Sequence, residues 1–216
     1  MSARLVVLAS GSGTNVQAII DASAASAASA ASAAERLDAE VVAVVANVAD
    51  AYALERAQSV GIAAVSVLAT SGESRRDYDR RLADVVAEHQ PDWVVLAGWM
   101  RLLSTSFLER FPQRVINLHP ALPGDLPGLH AIERAHAEFT AGIRTSTGVM
   151  VHLVPDEGVD NGPVLRTVRV PIEPGDSVAD LAARIHTVEH CTLVAALRDL
   201  CRTDYTPTFL EEAHPA

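Results

Sequence analysis

Short apolar runs rich in β-branched residues alternate with helical stretches along the first half of the chain, and this rhythm constrains the fold more than any other feature. Residues 4–9 (RLVVLA), 41–46 (VVAVVA), 62–67, 93–97 (WVVLA) and 115–118 read as strands. Near-continuous apolar runs of this length are the mark of strands covered on both faces. Between them, Val16, Ile19 and Ile20 recur at helical spacing, residues 51–59 read as helical, and residues 75–89 carry a stripe of Tyr78, Leu82, Val85 and Val86. The expected fold class is α/β: a doubly wound, mostly parallel twisted sheet flanked by helices. After about Thr147 the rhythm changes to two strand-like runs, 149–154 and 164–170, and then a long helix over 178–200. The C-terminal part is therefore expected to be β-rich and closed by that helix.

No linker breaks the pattern. A single domain is expected over 1–203, with an N-terminal half of about 1–112 and a second half of about 113–203, followed by a tail over 204–216. The 216 residues, 49% apolar and 20% charged, suffice for one full core. Residues 22–34 form an Ala/Ser tract with serine at every third position. Alanine favours helix, but a repeat of three cannot hold one face of a 3.6-residue helix, so the tract reads as a low-complexity insertion without function.

The net charge of −10 and a pI near 5.2 argue against a nucleic-acid partner, because an acidic surface repels a phosphate backbone. The two cysteines, Cys191 and Cys201, stand in no metal-type cluster, and the opening residues carry no signal-peptide pattern. Both point to a reducing cytoplasm. No apolar run is long enough for a membrane span, so no membrane partner is expected.

Three polar features fall where parallel strands end, the place at which such sheets gather ligands. After the first strand, Gly11-Ser12-Gly13-Thr14-Asn15 opens a helix. Backbone N–H groups and the helix dipole at such a turn suit a phosphate, although a structural turn with an Asn cap has the same composition. Val16 stands where the dinucleotide fingerprint needs its third glycine, and no lysine is placed for a nucleoside triphosphate. After the fourth strand comes the run Gly98 to Leu103.

The fifth strand ends in Asn117-Leu118-His119-Pro120. Alternate positions on a strand face one way, so the amide and the imidazole share a side, and Pro120 stops the strand behind them. An amide beside an imidazole suits acyl transfer, one stabilising an oxyanion and the other handling a proton. The loop Asp156-Glu157-Gly158-Val159-Asp160-Asn161-Gly162-Pro163 offers three acids, any of which could orient His119 and raise its pKa. It lacks the oxygen spacing of a calcium loop. His186-Thr187-Val188-Glu189-His190 matches the inverted zinc-peptidase pattern, but no distant third ligand accompanies it, so no metal is expected. A helix face presenting His186 and Glu189 to a ligand is the preferred reading.

Taken in order, the Gly loop with Thr14-Asn15, Gly98-Trp99-Met100-Arg101-Leu102-Leu103, Asn117-Leu118-His119-Pro120, Pro127-Gly128-Leu129-His130 and Asp160-Asn161-Gly162-Pro163 resemble the phosphoribosylglycinamide formyltransferases over about residues 4–200. The resemblance implies that Gly13, Thr14 and Asn15 hold the phosphate of glycinamide ribonucleotide, with His186 and Glu189 completing that pocket. It implies a 10-formyltetrahydrofolate site lined by Arg75, Met100, Arg101, Leu102, Leu103, Asn117, Pro155, Asp156, Glu157 and Asp160. Asn117, His119 and Asp160 match the family's catalytic trio, and His152 stands behind them. The implied partners are these two small molecules, without metal, in a monomer or homodimer. A formyltetrahydrofolate deformylase and a non-catalytic module that binds a phosphorylated metabolite are the alternatives. One departure from the family pattern lies beside His119: Ala121-Leu122-Pro123-Gly124-Asp125-Leu126 replaces a Leu-Leu-Pro run followed by an aromatic.

Overall fold

The computed structural model describes residues 2–28 and 37–202. Seven strands form one sheet in the order β3-β2-β1-β4-β5-β6-β7. They are β1 (Ala3–Ala9), β2 (Ala39–Ala46), β3 (Ala63–Ser66), β4 (Trp93–Leu96), β5 (Val115–His119), β6 (Ser146–Leu153) and β7 (Val164–Pro171). The first five run parallel, whereas β6 pairs antiparallel with both β5 and β7. The change of rhythm read after Thr147 is thus a change of strand direction: β6 and β7 form a hairpin and need no crossover helix.

The helices are α1 (Thr14–Ala28), α2 (Tyr52–Ser59), α3 (Arg75–Glu88), α4 (Thr105–Leu108), α5 (Ala131–Thr140) and α6 (Val178–Leu200). Alternation along each strand divides the core between two faces. In β1, Leu5, Val7 and Ala9 pack with residues of α1, α2, α5 and α6, while Val6 and Leu8 pack with Tyr78, Leu82 and Val86 of α3 and Phe107 of α4. Strand order reverses between β1 and β4, and at such a switch point the loops leaving neighbouring strands diverge to open a crevice.

The first half of the Ala/Ser tract continues α1 to Ala28, as alanine propensity favours; residues 29–34 of it, and the tail 204–216, lie outside the described residues. Two helices were not legible in the sequence. In α5 only Ala131 and Ala135 are buried, and its N-cap position is His130 at a left-handed φ of 59°, with no side-chain cap. Its fully buried positions are alanines, with Ile132 and Phe139 only partly buried against the core, so no continuous apolar stripe marks it. The other, α4, is a single turn of four residues.

No helix among the described residues is long and apolar enough to cross a membrane.

Candidate active site

The crevice at the carboxyl ends of β1, β4 and β5 is a cleft of about 870 Å3. The turn at residues 10–15 lies at one part of its wall. Ser10 accepts the Met100 N–H at 2.9 Å and donates its own N–H to the Gly98 carbonyl at 3.0 Å, binding the glycine turn to the loop that leaves β4. From the other side, α2 clamps the turn: Ala53 N–H donates to Gly11 O, and Arg56 Nε donates to Ser12 O at 2.8 Å. Gly13 holds φ at 69°, and a Cβ placed there would meet Ala53 Cα and Cβ at 2.7 Å. Only glycine fits this turn.

Asn15 does not cap α1. It is buried in the helix's first turn and donates through Nδ2 to Glu189 Oε2 of α6 at 3.3 Å, while its own Oδ1 is buried with no hydrogen-bond partner among the described residues. Glu189 is only 6% exposed, and burial pushes its carboxyl above the usual range, against the Asn15 hydrogen bond and the charge of His186. His186 and Glu189 both line the cleft, as their shared helix face predicts, whereas His190 Nε2 is buried with no hydrogen-bond partner among the described residues. Among the described residues no group of three or more His, Cys, Asp or Glu is placed to hold a metal.

The raised Glu189 carboxyl gives a signed expectation. A group whose folded pKa exceeds its unfolded value stabilises the fold below the unfolded value, and that contribution is lost as pH rises through the folded pKa. At neutral pH, where the carboxyl is ionised in the unfolded chain, burial of Glu189 therefore costs stability. Glu189→Gln is expected to raise Tm by about 2–4 °C at pH 7–8, the equivalent of about 1 kcal/mol in a chain of this size, with no gain near pH 4. Thermal melts at the two pH values check it; an unchanged or lower Tm at pH 7–8 refutes it.

The loop leaving β4 supplies a different wall. Met100, Leu102 and Leu129 are 61%, 50% and 59% exposed at the cleft, an apolar surface left uncovered at a binding site. Arg101 turns back over the Tyr78 ring at 4.3 Å, and Leu103 is buried in the core. Glu157 accepts the Thr105 N–H at 2.9 Å and pairs with Arg75, so the acidic loop is tied across to α3 and α4. Arg75 reaches the cleft only through that pair; neither it nor Pro155 forms the lining, although Asp156, Glu157 and Asp160 do.

Asn117 and His119 share a side of β5, as period two requires, and the structure brings Asp160 to both. Asp160 Oδ1 accepts from Asn117 Nδ2 at 2.9 Å, and Oδ2 accepts from the Gly128 N–H at 2.8 Å with His119 Nδ1 at 3.3 Å. Asp156 instead accepts the Gly158 N–H within its own loop. Two backbone features deliver Asp160: it stands at a left-handed φ of 52°, which aspartate tolerates, and the next turn is closed by Gly162, where a Cβ would overlap the Leu153 carbonyl. His152 lies directly opposite Asn117 in the β5–β6 register. Its Nδ1 donates to the Leu153 carbonyl, which leaves Nε2 as an acceptor for Asn117 Nδ2 at 3.1 Å.

Burial of Asp160 would raise its pKa, but the Gly128 N–H and the His119 ring hold the carboxyl below its usual range. The expectation that a loop carboxylate would raise the His119 pKa holds only as one contribution. Burial drives the imidazole down and outweighs both Asp160 and the Leu126 carbonyl, so the net direction is downward. A buried cation is costly, and one carboxylate does not cancel that. Every donor in the cluster is already engaged: both amide protons of Asn117 meet acceptors, and the two nitrogens of His119 face Asp160 and Leu126 O.

A parallel sheet reversing at β1/β4, a glycine turn at the start of α1, and an amide, imidazole and carboxylate meeting two strands away line one cleft of an α/β fold. The chain belongs to the formyl transferase family, whose model matches residues 3–197. It is 41% identical over 186 residues to the phosphoribosylglycinamide formyltransferase of Escherichia coli, covering 86% of this chain and 81% of that one. It is 42% identical to the enzyme of the same name in Schizosaccharomyces pombe, over 93% of this chain and 98% of that one. The crystal structure of glycinamide ribonucleotide transformylase 1 from Symbiobacterium toebii superposes with a TM-score of 0.83 at 36% identity, covering 93% of this chain and 88% of that one. Within the family, the chain sits among the phosphoribosylglycinamide formyltransferases.

Proposed function

We propose that the chain transfers the formyl group of 10-formyltetrahydrofolate to the amine of glycinamide ribonucleotide, a step of purine biosynthesis in the cytoplasm. The observation that carries this reading is the meeting of Asn117, His119 and Asp160 in the same cleft as the glycine turn. In the sheet, β1 and β5 are separated only by β4, hence about 10 Å apart at ~4.8 Å per strand. That spacing matches a ribose phosphate carrying a short amide, with its phosphate on Gly13, Thr14 and Asn15 and its amine at the trio. A carboxylate is a poor phosphate ligand, so Glu189 takes the ribose hydroxyls as an acceptor, beside His186. The folate occupies the apolar side, against Met100, Leu102 and the loop at 156–160.

The neutral amine attacks the formyl carbon directly. Oxygen charge developing on the tetrahedral intermediate is met by an Asn117 amide hydrogen bond and by the positive charge of protonated His119, whose own N–H groups stay on Asp160 and the Leu126 carbonyl. Because both Asn117 amide protons are engaged at rest, the formyl oxygen must displace one acceptor; the His152 contact, at 3.1 Å, is the longer of the two. Asp160, held ionised, stabilises the His119 imidazolium and assists the proton's passage from the attacking nitrogen to the folate leaving nitrogen. The exposed Cys191 and buried Cys201 stand outside the cleft lining, so the mechanism needs no covalent intermediate.

One assay tests the reading: 10-formyltetrahydrofolate is mixed with the protein, with and without glycinamide ribonucleotide. Folate release only with the ribonucleotide is expected. Formate release in its absence identifies a deformylase, and binding without turnover identifies a metabolite-binding module. Addition of a chelator is expected to leave the rate unchanged.

A further inference from the structure

The loop in which this chain departs from its family pattern touches His119 directly. The His119 ring is 4% exposed, and its Nε2 lies 3.1 Å from the carbonyl oxygen of Leu126. A carbonyl can only accept, and so can ionised Asp160, 3.3 Å from Nδ1, so the two contacts together suit the doubly protonated ring. To present that carbonyl, Leu126 takes a left-handed φ of 46°, a conformation unfavourable for a branched residue and held only where its surroundings enforce it.

Enforcement comes from the preceding residue. Asp125 closes a turn onto the Leu122 carbonyl and grips Arg144 with both oxygens, at 2.7 and 2.9 Å. The guanidinium is 15% exposed, and it also donates through Nε to Glu138 of α5 at 2.7 Å. One planar fork therefore ties the loop to α5 and to the entry of β6, with all its directions used. Arg144 touches neither the cleft lining nor the trio.

We propose that the Asp125–Arg144 ion pair is a positioning device for His119: it holds the Leu126 carbonyl against Nε2 and so gives the imidazolium, whose Nδ1 faces Asp160, its second acceptor. Without the clamp, Leu126 relaxes to an ordinary φ and its carbonyl turns away. The protonated ring then loses one of its two acceptors, whereas neutral His119, whose one proton goes to ionised Asp160, loses none. The charged groups facing His119 are Asp160 from the loop after β6, His152 from β6 and Arg134 from α5. None of them moves with Arg144 directly, since Arg134 is held by the Pro127 carbonyl.

The inference rests on the proposed chemistry only for its kinetic readout. In two-bond 1H–15N spectra of the free protein across a pH titration, with the His119 signal assigned by its loss in His119→Gln, Arg144→Met is expected to lose the imidazolium at a lower pH than wild type, and Arg144→Lys, which keeps one cationic donor, to restore part of the difference. Kinetically, Arg144→Met should lower kcat by roughly 10- to 100-fold, the scale of a misplaced catalytic group, with KM for both substrates within about twofold. Its alkaline limb should move to lower pH, and the lysine variant should recover part of both effects. If Arg144→Met does not fold, Asp125→Asn, which keeps the turn and removes the charge, carries the same test. An unmoved His119 titration in the methionine variant overturns the proposal, as does a fall in kcat with the pH profile unmoved. A shifted titration in a protein that transfers no formyl group upholds the clamp and refutes the formyltransferase reading instead.

Discussion

Asp160→Asn is expected to lower kcat on the order of 1000-fold, more than either Asn117→Ala or His119→Ala, each of which should cost roughly 100-fold or more. The asymmetry follows from what Asp160 touches. Its two oxygens together engage Asn117, His119 and the Gly128 N–H, so it orients both groups that face the formyl oxygen. An amide in its place turns either a donor or a neutral oxygen toward each partner. If Nδ2 replaces Oδ1, it opposes the Asn117 amide donor; if it replaces Oδ2, it opposes the Gly128 N–H. Loss of the charge also removes the attraction that offsets burial at His119, so the imidazolium forms only at lower pH.

The rate should therefore change shape as well as height. Wild type is expected to give a two-limbed profile, with His119 and the substrate amine as the two groups. In Asp160→Asn the alkaline limb moves down, because the imidazole's pKa, already lowered by burial, loses its principal support. Stability moves with a definite sign. A carboxylate depressed in the folded state contributes above its unfolded pKa and loses that contribution as pH falls through the folded value. Asp160→Asn should thus cost stability at pH 7 and little in strong acid. A kcat within tenfold of wild type, measured with both substrates saturating, would remove Asp160 from the mechanism.

How much of this was open to a reader of the sequence depends on which atoms carry the information. The parallel strands were legible because strands covered on both faces must be apolar throughout: residues 115–118 read as a strand, and β5 runs one residue further, to His119. The shared side of Asn117 and His119 follows from strand geometry alone. Asp160 is different. Among the three loop acids, nothing local favours it, and what delivers it is a left-handed φ and the pressure of Gly162 on the Leu153 carbonyl. His152 acts on Asn117 through antiparallel register, which sequence spacing does not encode. Leu126 contributes a backbone oxygen and so has no side-chain signature. Its only trace was that the loop departed from the family pattern.

Gly13→Ala is the second large effect, and it joins fold to binding at one backbone position. The left-handed φ of 69° costs an L-residue about 1–2 kcal/mol, and the new methyl meets Ala53 Cα and Cβ at 2.7 Å, where neither strand nor helix can yield cheaply. Overpacking of this kind adds about 1–3 kcal/mol. At 2–4 °C per kcal/mol for a chain of this length, Tm should fall by roughly 5–15 °C. Gly11 is the internal control: a Cβ there meets nothing within 4 Å and its φ is not left-handed, so Gly11→Ala should leave Tm nearly unchanged. Binding should suffer with the turn. The relief of the clash moves α2 away and splays the N–H groups at the start of α1, each worth about 1.5–3 kcal/mol to a charged oxygen. The KM for glycinamide ribonucleotide should accordingly rise about 10- to 100-fold while that for the folate, bound against the loop leaving β4, stays within about twofold. Equal losses for both substrates would mean that the glycine turn supports the whole cleft rather than the phosphate, and would remove the assignment of the ribonucleotide to this end of it.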